Sequence, residues 1–96
     1  MPRYLIERNF DPLDEDMMEM VGARSKKLLD ERFPNIRWEH SHVVVDAVGN
    51  TKSFCIYEAP NEDMIRQHAG ELGYHIIGNI YEIGGDVDPR DFKPTS

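Results

Sequence analysis

Two histidines separated by one residue are a moderately specific signal for metal binding in this sequence. His40 and His42 lie in the stretch 36–45, whose β-branched and aromatic residues favour a strand. Residues i and i+2 of a strand point to the same face, about 6.5 to 7 Å apart at Cα, so two imidazoles at this spacing can chelate one metal ion. Alternatively, one histidine packs beside Trp38 and the other faces solvent near a hairpin.

A third histidine lies on a predicted helix. His68 falls between Met64 and Leu72, at the edge of an apolar stripe, where its imidazole can point toward the sheet. It is therefore a candidate metal ligand. The competing interpretation is a packing histidine that is hydrogen-bonded to backbone or to a carboxylate.

Two carboxylates lie within segments that otherwise read as apolar or aromatic strands. Glu7 and Glu58 would each need a cation, a metal ion or a hydrogen-bond donor if they are buried. Either can thus supply an oxygen ligand. The simpler alternatives are an ion pair with a neighbouring basic residue for Glu7 and a solvated strand end for Glu58.

The sulfur-containing side chains are weaker candidates. Cys55 can act as a soft metal ligand or as a nucleophile, but between Phe54 and Ile56 it has the pattern of a small buried hydrophobe. Met17 and Met20 recur at helical spacing, and we expect both in the core.

The elements that position these side chains follow from hydrophobic periodicity and from helix-breaking residues. Asp11-Pro12 predicts a capped helix start, with Asp14 as a capping-box carboxylate, and Gly49-Asn50 predicts a hairpin turn. The predicted elements are a strand over 2–10, a helix from Leu13, strands over 36–45 and 52–57, a helix from the Asn61 cap to Gly73, and a strand over 75–83. This β-α-β-β-α-β order predicts an α+β, ferredoxin-like fold with a four-stranded antiparallel sheet.

The sheet needs cover on both faces. Two helices cover only one face, yet the strands carry apolar residues at both parities. On strict alternation, Trp38 and Val44 share one face of the second strand, while Val43 and Val45 share the other. We therefore expect a homodimer that pairs its sheets face to face, as in a dimeric α+β barrel.

Length and composition limit the remaining possibilities. Ninety-six residues fit one core, so we expect a single domain over 1–83 and a flexible tail over 84–96. A net charge of −7 disfavours nucleic acid and anionic membranes as partners, and no apolar run approaches the length of a membrane span. A single cysteine and the absence of a leader pattern favour the cytoplasm.

Several segments also resemble a known family. They are Pro2 to Arg8, Trp38 to Ser41, Phe54 to Pro60 and Ile65 to Ala69. Together they resemble a bacterial domain-of-unknown-function family of small ferredoxin-like proteins, one branch of which is described as nickel-binding. The resemblance spans roughly residues 2 to 83 and implies a dimeric α+β barrel, with metal held by histidine and acidic side chains in that branch.

The first functional hypothesis is a metal-binding protein, for nickel, zinc or another divalent transition ion. Its candidate ligands are His40, His42, His68, Glu7 and Glu58. No catalytic residues or organic cofactor are indicated, so we expect binding rather than catalysis. The alternative is a small-molecule binding protein or enzyme with a pocket between sheet and helices, in which Tyr57 joins His40 and His68; a ligand-free interaction module is the third hypothesis.

Overall fold

The structure, a computed structural model, describes residues 1–10 and 14–94. Its elements are β1 (Arg3–Phe10), α1 (Glu15–Arg32), β2 (Arg37–Val45), β3 (Thr51–Glu58), α2 (Glu62–Leu72), β4 (His75–Glu82) and a 3-10 turn, η1 (Pro89–Asp91). The four strands form one antiparallel sheet in the order β2-β3-β1-β4. The predicted ferredoxin-like α+β fold is therefore confirmed.

Side-chain caps set the start of both helices. Asn61 accepts a hydrogen bond from the Met64 backbone amide at 2.9 Å, as the sequence predicts. Asp14 does the same for the Met17 amide at 2.8 Å, so it is the N-cap residue of α1 and not the predicted capping-box carboxylate. The predicted cap at Asp11-Pro12 lies outside the described residues.

The two faces of the sheet differ in what covers them. On β1, the even-numbered residues pack under the helices, while Leu5 and Glu7 lie on the opposite face, as alternation predicts. We call that opposite side the open face. On β1, β2 and β3 it carries Arg3, Leu5, Glu7, Asn9, His40, His42, Val44, Lys52, Phe54, Ile56 and Glu58.

The main core lies between the sheet and the two helices. Its buried members are Tyr4, Ile6, Leu29, Phe33, Ile36, Cys55, Tyr57, Ala59 and Ile65. Cys55 is buried, as its apolar neighbours indicate. This core fixes the helical face of β1 and β3, and thereby the side chains that the open face presents.

The pattern predicted for β2 is wrong because the strand contains a bulge. Trp38 is paired with Tyr57 and His40 with Ile56, which leaves Glu39 as an extra residue. Val43 therefore shares the helical face with Trp38. Val44 pairs with Lys52 on the open face. Trp38 and Val44 therefore lie on opposite faces of β2, although they were predicted to share one.

The buried stripe of α1 also differs from the prediction. Val21, Ser25 and Leu29 are buried, whereas Met17 and Met20 are 39% and 45% exposed. These two methionines flank the stripe instead of belonging to it. They are not core residues.

The start of the segment after β4 stays beside β1. The backbone amide of Ile83 donates to the Arg3 carbonyl at 2.7 Å, and the Arg3 guanidinium contacts the Asp86 carboxylate at 2.6 Å. Asp88 caps η1. The flexibility of the tail over 84–96 stays a prediction. In the part of the chain that the structure describes, no helix combines the length and apolarity needed to cross a membrane.

Candidate metal ligands and a buried arginine on opposite faces of the sheet

His40 and His42 lie side by side on the open face. Their ring centroids are 5.3 Å apart, the rings are nearly perpendicular, and both side chains are exposed. The bulge at Glu39 puts them on the face opposite Trp38, so packing of either imidazole against that indole is excluded. Two exposed imidazoles on one face at this separation can bind a single ion.

The two candidate carboxylates lie on the same face. Glu7 pairs with Phe54, which pairs with His42, so Glu7 is two strands from that histidine, about 9 to 10 Å across the sheet. Its side chain lies over Gly78 of β4, and the ion pair predicted for it is not among the contacts of the described residues. Glu58 instead contacts Arg37 at 2.9 Å.

His68 lies on the other side of the sheet. It is fully buried, its Nε2 is 3.3 Å from Ser25 Oγ, and its ring packs edge-on against Phe33 and Tyr57. The sheet therefore separates it from the other four candidates. Residues 1–10 and 14–94 contain no cluster of three or more His, Cys, Asp or Glu side chains arranged to hold a metal ion, so one chain brings together only the pair of open-face histidines.

Burial controls the protonation of His68. Removal from solvent, and secondarily the positive charge of Arg8, lower the pKa of His68 from 6.5 to about 4. The imidazole is therefore neutral at physiological pH. Its Nδ1 has no hydrogen-bond partner among the described residues.

This shift predicts a loss of stability in weak acid. The pKa of His68 is about 4 in the folded state and 6.5 in the unfolded chain. Between these two pH values the unfolded chain binds more protons than the folded protein, so stability falls as the pH drops. We expect His68 alone to lower the free energy of unfolding by about 2 kcal/mol between pH 7 and pH 5. Urea unfolding at both pH values measures it. His68→Leu should flatten the dependence, and an unchanged pH dependence in that variant would contradict the assignment.

Arg8, a buried charged residue on the helical face, is not among the functional residues predicted from the sequence. It is 2% exposed, and its guanidinium carbon lies 5.3 Å from the centroid of the Tyr57 ring. Its Nη1 donates to Nε2 of His75 at 2.8 Å, while Nε and Nη2 have no partner among the described residues. The signal was available, because Arg8 falls at an inward position between Ile6 and Phe10 of β1.

The contact with Arg8 fixes the tautomer of His75. A guanidinium only donates hydrogen bonds, so His75 Nε2 must be the acceptor and Nδ1 must carry the proton that it donates to the Gly73 carbonyl at 2.6 Å. Burial first, and then the Arg8 charge, lower the pKa of His75. His75 is thus a neutral acceptor and supplies no negative charge to the arginine.

Arg8 borders a cavity between α1 and the sheet. The cavity has a volume of about 300 Å³ and is lined by Arg8, Phe10, Met18, Val21, Gly22, Ser25, Trp38, Ser41, Val43, Ser53, Cys55, Tyr57 and Leu72. Tyr57 is the only member of the predicted pocket trio in this lining. His40 lies on the open face, and His68 packs behind Tyr57.

The fold and its two faces define the class of protein. It is a ferredoxin-like α+β protein with helices on one face of its sheet and a pair of imidazoles on the other. Residues 4–83 match the family described as nickel responsive protein SCO4226-like, and the chain belongs to that family. The predicted family resemblance is confirmed.

A solved structure supports the same fold. The crystal structure of SCO4226 from Streptomyces coelicolor A3(2) is similar with a TM-score of 0.67 and 14% sequence identity, over 88% of this chain and 99% of that one. At this identity the likeness concerns the fold alone. No curated protein matched the chain.

Proposed function

We propose that this protein binds a divalent transition-metal ion, nickel foremost, through His40 and His42 on the open face. The observation that carries the proposal is the pair of exposed imidazoles with ring centroids 5.3 Å apart. The name of the family, nickel responsive, supports the choice of ion. Imidazole also suits zinc and copper, so the ion must be identified by competition.

The side chains of one chain supply only some of the ligands that a metal ion needs. Two imidazole nitrogens leave positions for oxygen donors, which the open face offers in Glu7 and, if it releases Arg37, in Glu58. Carboxylate, water or a donor from a second copy of the chain would complete the site. A bound ion would hold these side chains together, and no catalytic step is assigned to it.

We propose further that a second copy covers the open face. Leu5, Phe54 and Ile56 are only half-buried there, and Val44 is 38% exposed. Two sheets packed face to face lie about 10 Å apart, which would bury these side chains and bring a second histidine pair toward the first. These apolar side chains on the open face favour a second copy of the chain as the partner, in a homodimer of this geometry.

Phe54→Asp tests the dimer. A carboxylate in the middle of the packed faces would be buried without a partner, so we expect the dimer dissociation constant to rise by at least about ten-fold. Sedimentation equilibrium measures the change. The control is Val48→Asp, in the exposed hairpin turn between β2 and β3. A monomeric wild-type protein would overturn the dimer, but not metal binding by the histidine pair.

Gly78→Ala tests whether Glu7 is a ligand without removing its carboxylate. A Cβ at position 78 would collide with Glu7 Oε1 and with Asn9 Nδ2, so these two flexible side chains must move away while the strand stays in place. We expect nickel affinity to fall about ten-fold, comparable with Glu7→Gln. Gly70→Ala, where a Cβ meets open space, is the matched control. Unchanged affinity in Gly78→Ala and Glu7→Gln would remove Glu7 from the ligand set.

Equilibrium dialysis tests the proposed function as a whole. Untagged protein is dialysed against nickel, zinc and copper in separate experiments, and bound metal is counted by mass spectrometry after desalting. A near-integral metal content per chain or per dimer is expected. Retention of none of the three ions would overturn the proposal.

A further inference from the structure

Arg8 is a buried cation that has no anionic partner among the described residues. Taking a guanidinium out of water costs several kcal/mol unless a negative charge compensates it. Its observed partners are a neutral imidazole, His75, and the face of the Tyr57 ring, and neither carries a charge. Among the described residues, no carboxylate forms an ion pair with Arg8.

The unused part of the guanidinium has a specific shape. Nη1 is engaged by His75, and the two nitrogens without partners, Nε and Nη2, form one side edge of the planar group. This edge directs two parallel N–H bonds that match the two oxygens of a carboxylate. Arg8 is one of the residues that line the cavity, and its two nitrogens without partners are themselves buried from solvent.

The other residues that line the cavity indicate the chemistry of the rest of the ligand. Most lining side chains are apolar or aromatic, while Ser25, Ser41 and Ser53 contribute hydroxyls. Arg8 is the single cation in the described lining, which matches one negative charge better than the two of a phosphate. A volume of about 300 Å³ is at the small end of ligand pockets.

We propose that the cavity between α1 and the sheet binds a small organic monocarboxylate with an apolar body, whose carboxylate pairs with Nε and Nη2 of Arg8. The ligand enters beside β2, where the lining residues Trp38 and Val43 are 36% and 54% exposed. This site lies on the helical face. It is therefore independent of metal binding on the open face.

Trp38 gives a direct readout, because it is the only tryptophan of the chain and lines the cavity. The probe is cyclohexanecarboxylate, which does not absorb at the wavelengths of tryptophan emission, titrated in the presence of a chelator. Its neutral isostere cyclohexanecarboxamide and inorganic phosphate are titrated in parallel. We expect a saturable fluorescence change with the carboxylate and an affinity at least ten-fold weaker for the other two.

Variants locate the binding. Gly22→Leu projects a side chain into the cavity from α1, where a Cβ meets nothing within 4 Å, and should weaken carboxylate binding at least ten-fold. Gly70→Leu, on the exposed side of α2, should not. Arg8→Lys keeps the charge but loses the paired edge, and should also weaken binding.

The same titrations can overturn the proposal. If the carboxylate and the carboxamide bind equally well, Arg8 does not pair with the ligand. If phosphate binds as well as the carboxylate, the site is not specific for a monocarboxylate. Unchanged affinity in a folded Gly22→Leu variant would place the ligand elsewhere. The glycine variants keep the test valid if Arg8→Lys does not fold.

Discussion

Nickel affinity should fall more than about 100-fold when His42 is replaced by alanine, since loss of a residue that merely supports a metal ligand already costs about 10 to 100-fold. His42 and His40 are the only two imidazoles that one chain brings together on the open face of the described structure. Loss of either breaks the chelate and leaves an isolated surface histidine. Isothermal titration of nickel into His40→Ala and His42→Ala measures the effect.

A histidine from the other face provides the control. His75→Asn removes an imidazole that contacts Arg8 on the helical side, so nickel affinity should stay within about two-fold of wild type. If the two open-face variants bound nickel normally and His75→Asn did not, the metal would have to lie on the helical side. The assignment to His40 and His42 would then fail.

The largest loss of stability is expected for Tyr57→Ala. Tyr57 is 1% exposed, and its ring contacts the Arg8 guanidinium, the Trp38 indole and the His68 imidazole. Truncation opens a cavity beneath a buried cation, with an expected cost of about 3 to 5 kcal/mol. Since small domains have total stabilities of about 5 to 15 kcal/mol, this variant should lose a large part of the stability of the fold.

Tyr57→Phe separates the ring from its hydroxyl. The phenyl ring keeps the packing and the cation–π contact, so we expect a loss below about 1.5 kcal/mol. Urea unfolding followed by circular dichroism compares the two variants. A cost below about 2 kcal/mol for Tyr57→Ala would show that this ring is not a central support of the core.

Element order and the faces of β1 and β3 were predictable from the sequence because local signals determine them. The Asn61 cap begins α2, and strict alternation separates Ile6 from Glu7 on β1. The closeness of His40 and His42 was also predictable, since two residues along a strand share a face regardless of register. These features depend on neighbours in the chain.

The predictions that were wrong concern features that depend on contacts between residues far apart in the chain. The extra residue at Glu39 places Trp38 and Val44 on opposite faces of β2. Only the pairing of β2 with β3 reveals this bulge. Likewise, the helical spacing around His68 showed an inward imidazole. It could not show that the sheet stands between this residue and the histidines of β2.

Paramagnetic broadening by nickel tests the central claim most directly, because the chain has four histidines, two on each side of the sheet. Substoichiometric nickel is added to the ¹⁵N-labelled protein, and the imidazole and backbone signals of all four residues are followed by NMR. Binding at the proposed site predicts that the signals of His40 and His42 broaden first while those of His68 and His75 stay sharp. Selective broadening of His68 or His75, or no selective broadening at all, would contradict a metal site on the open face.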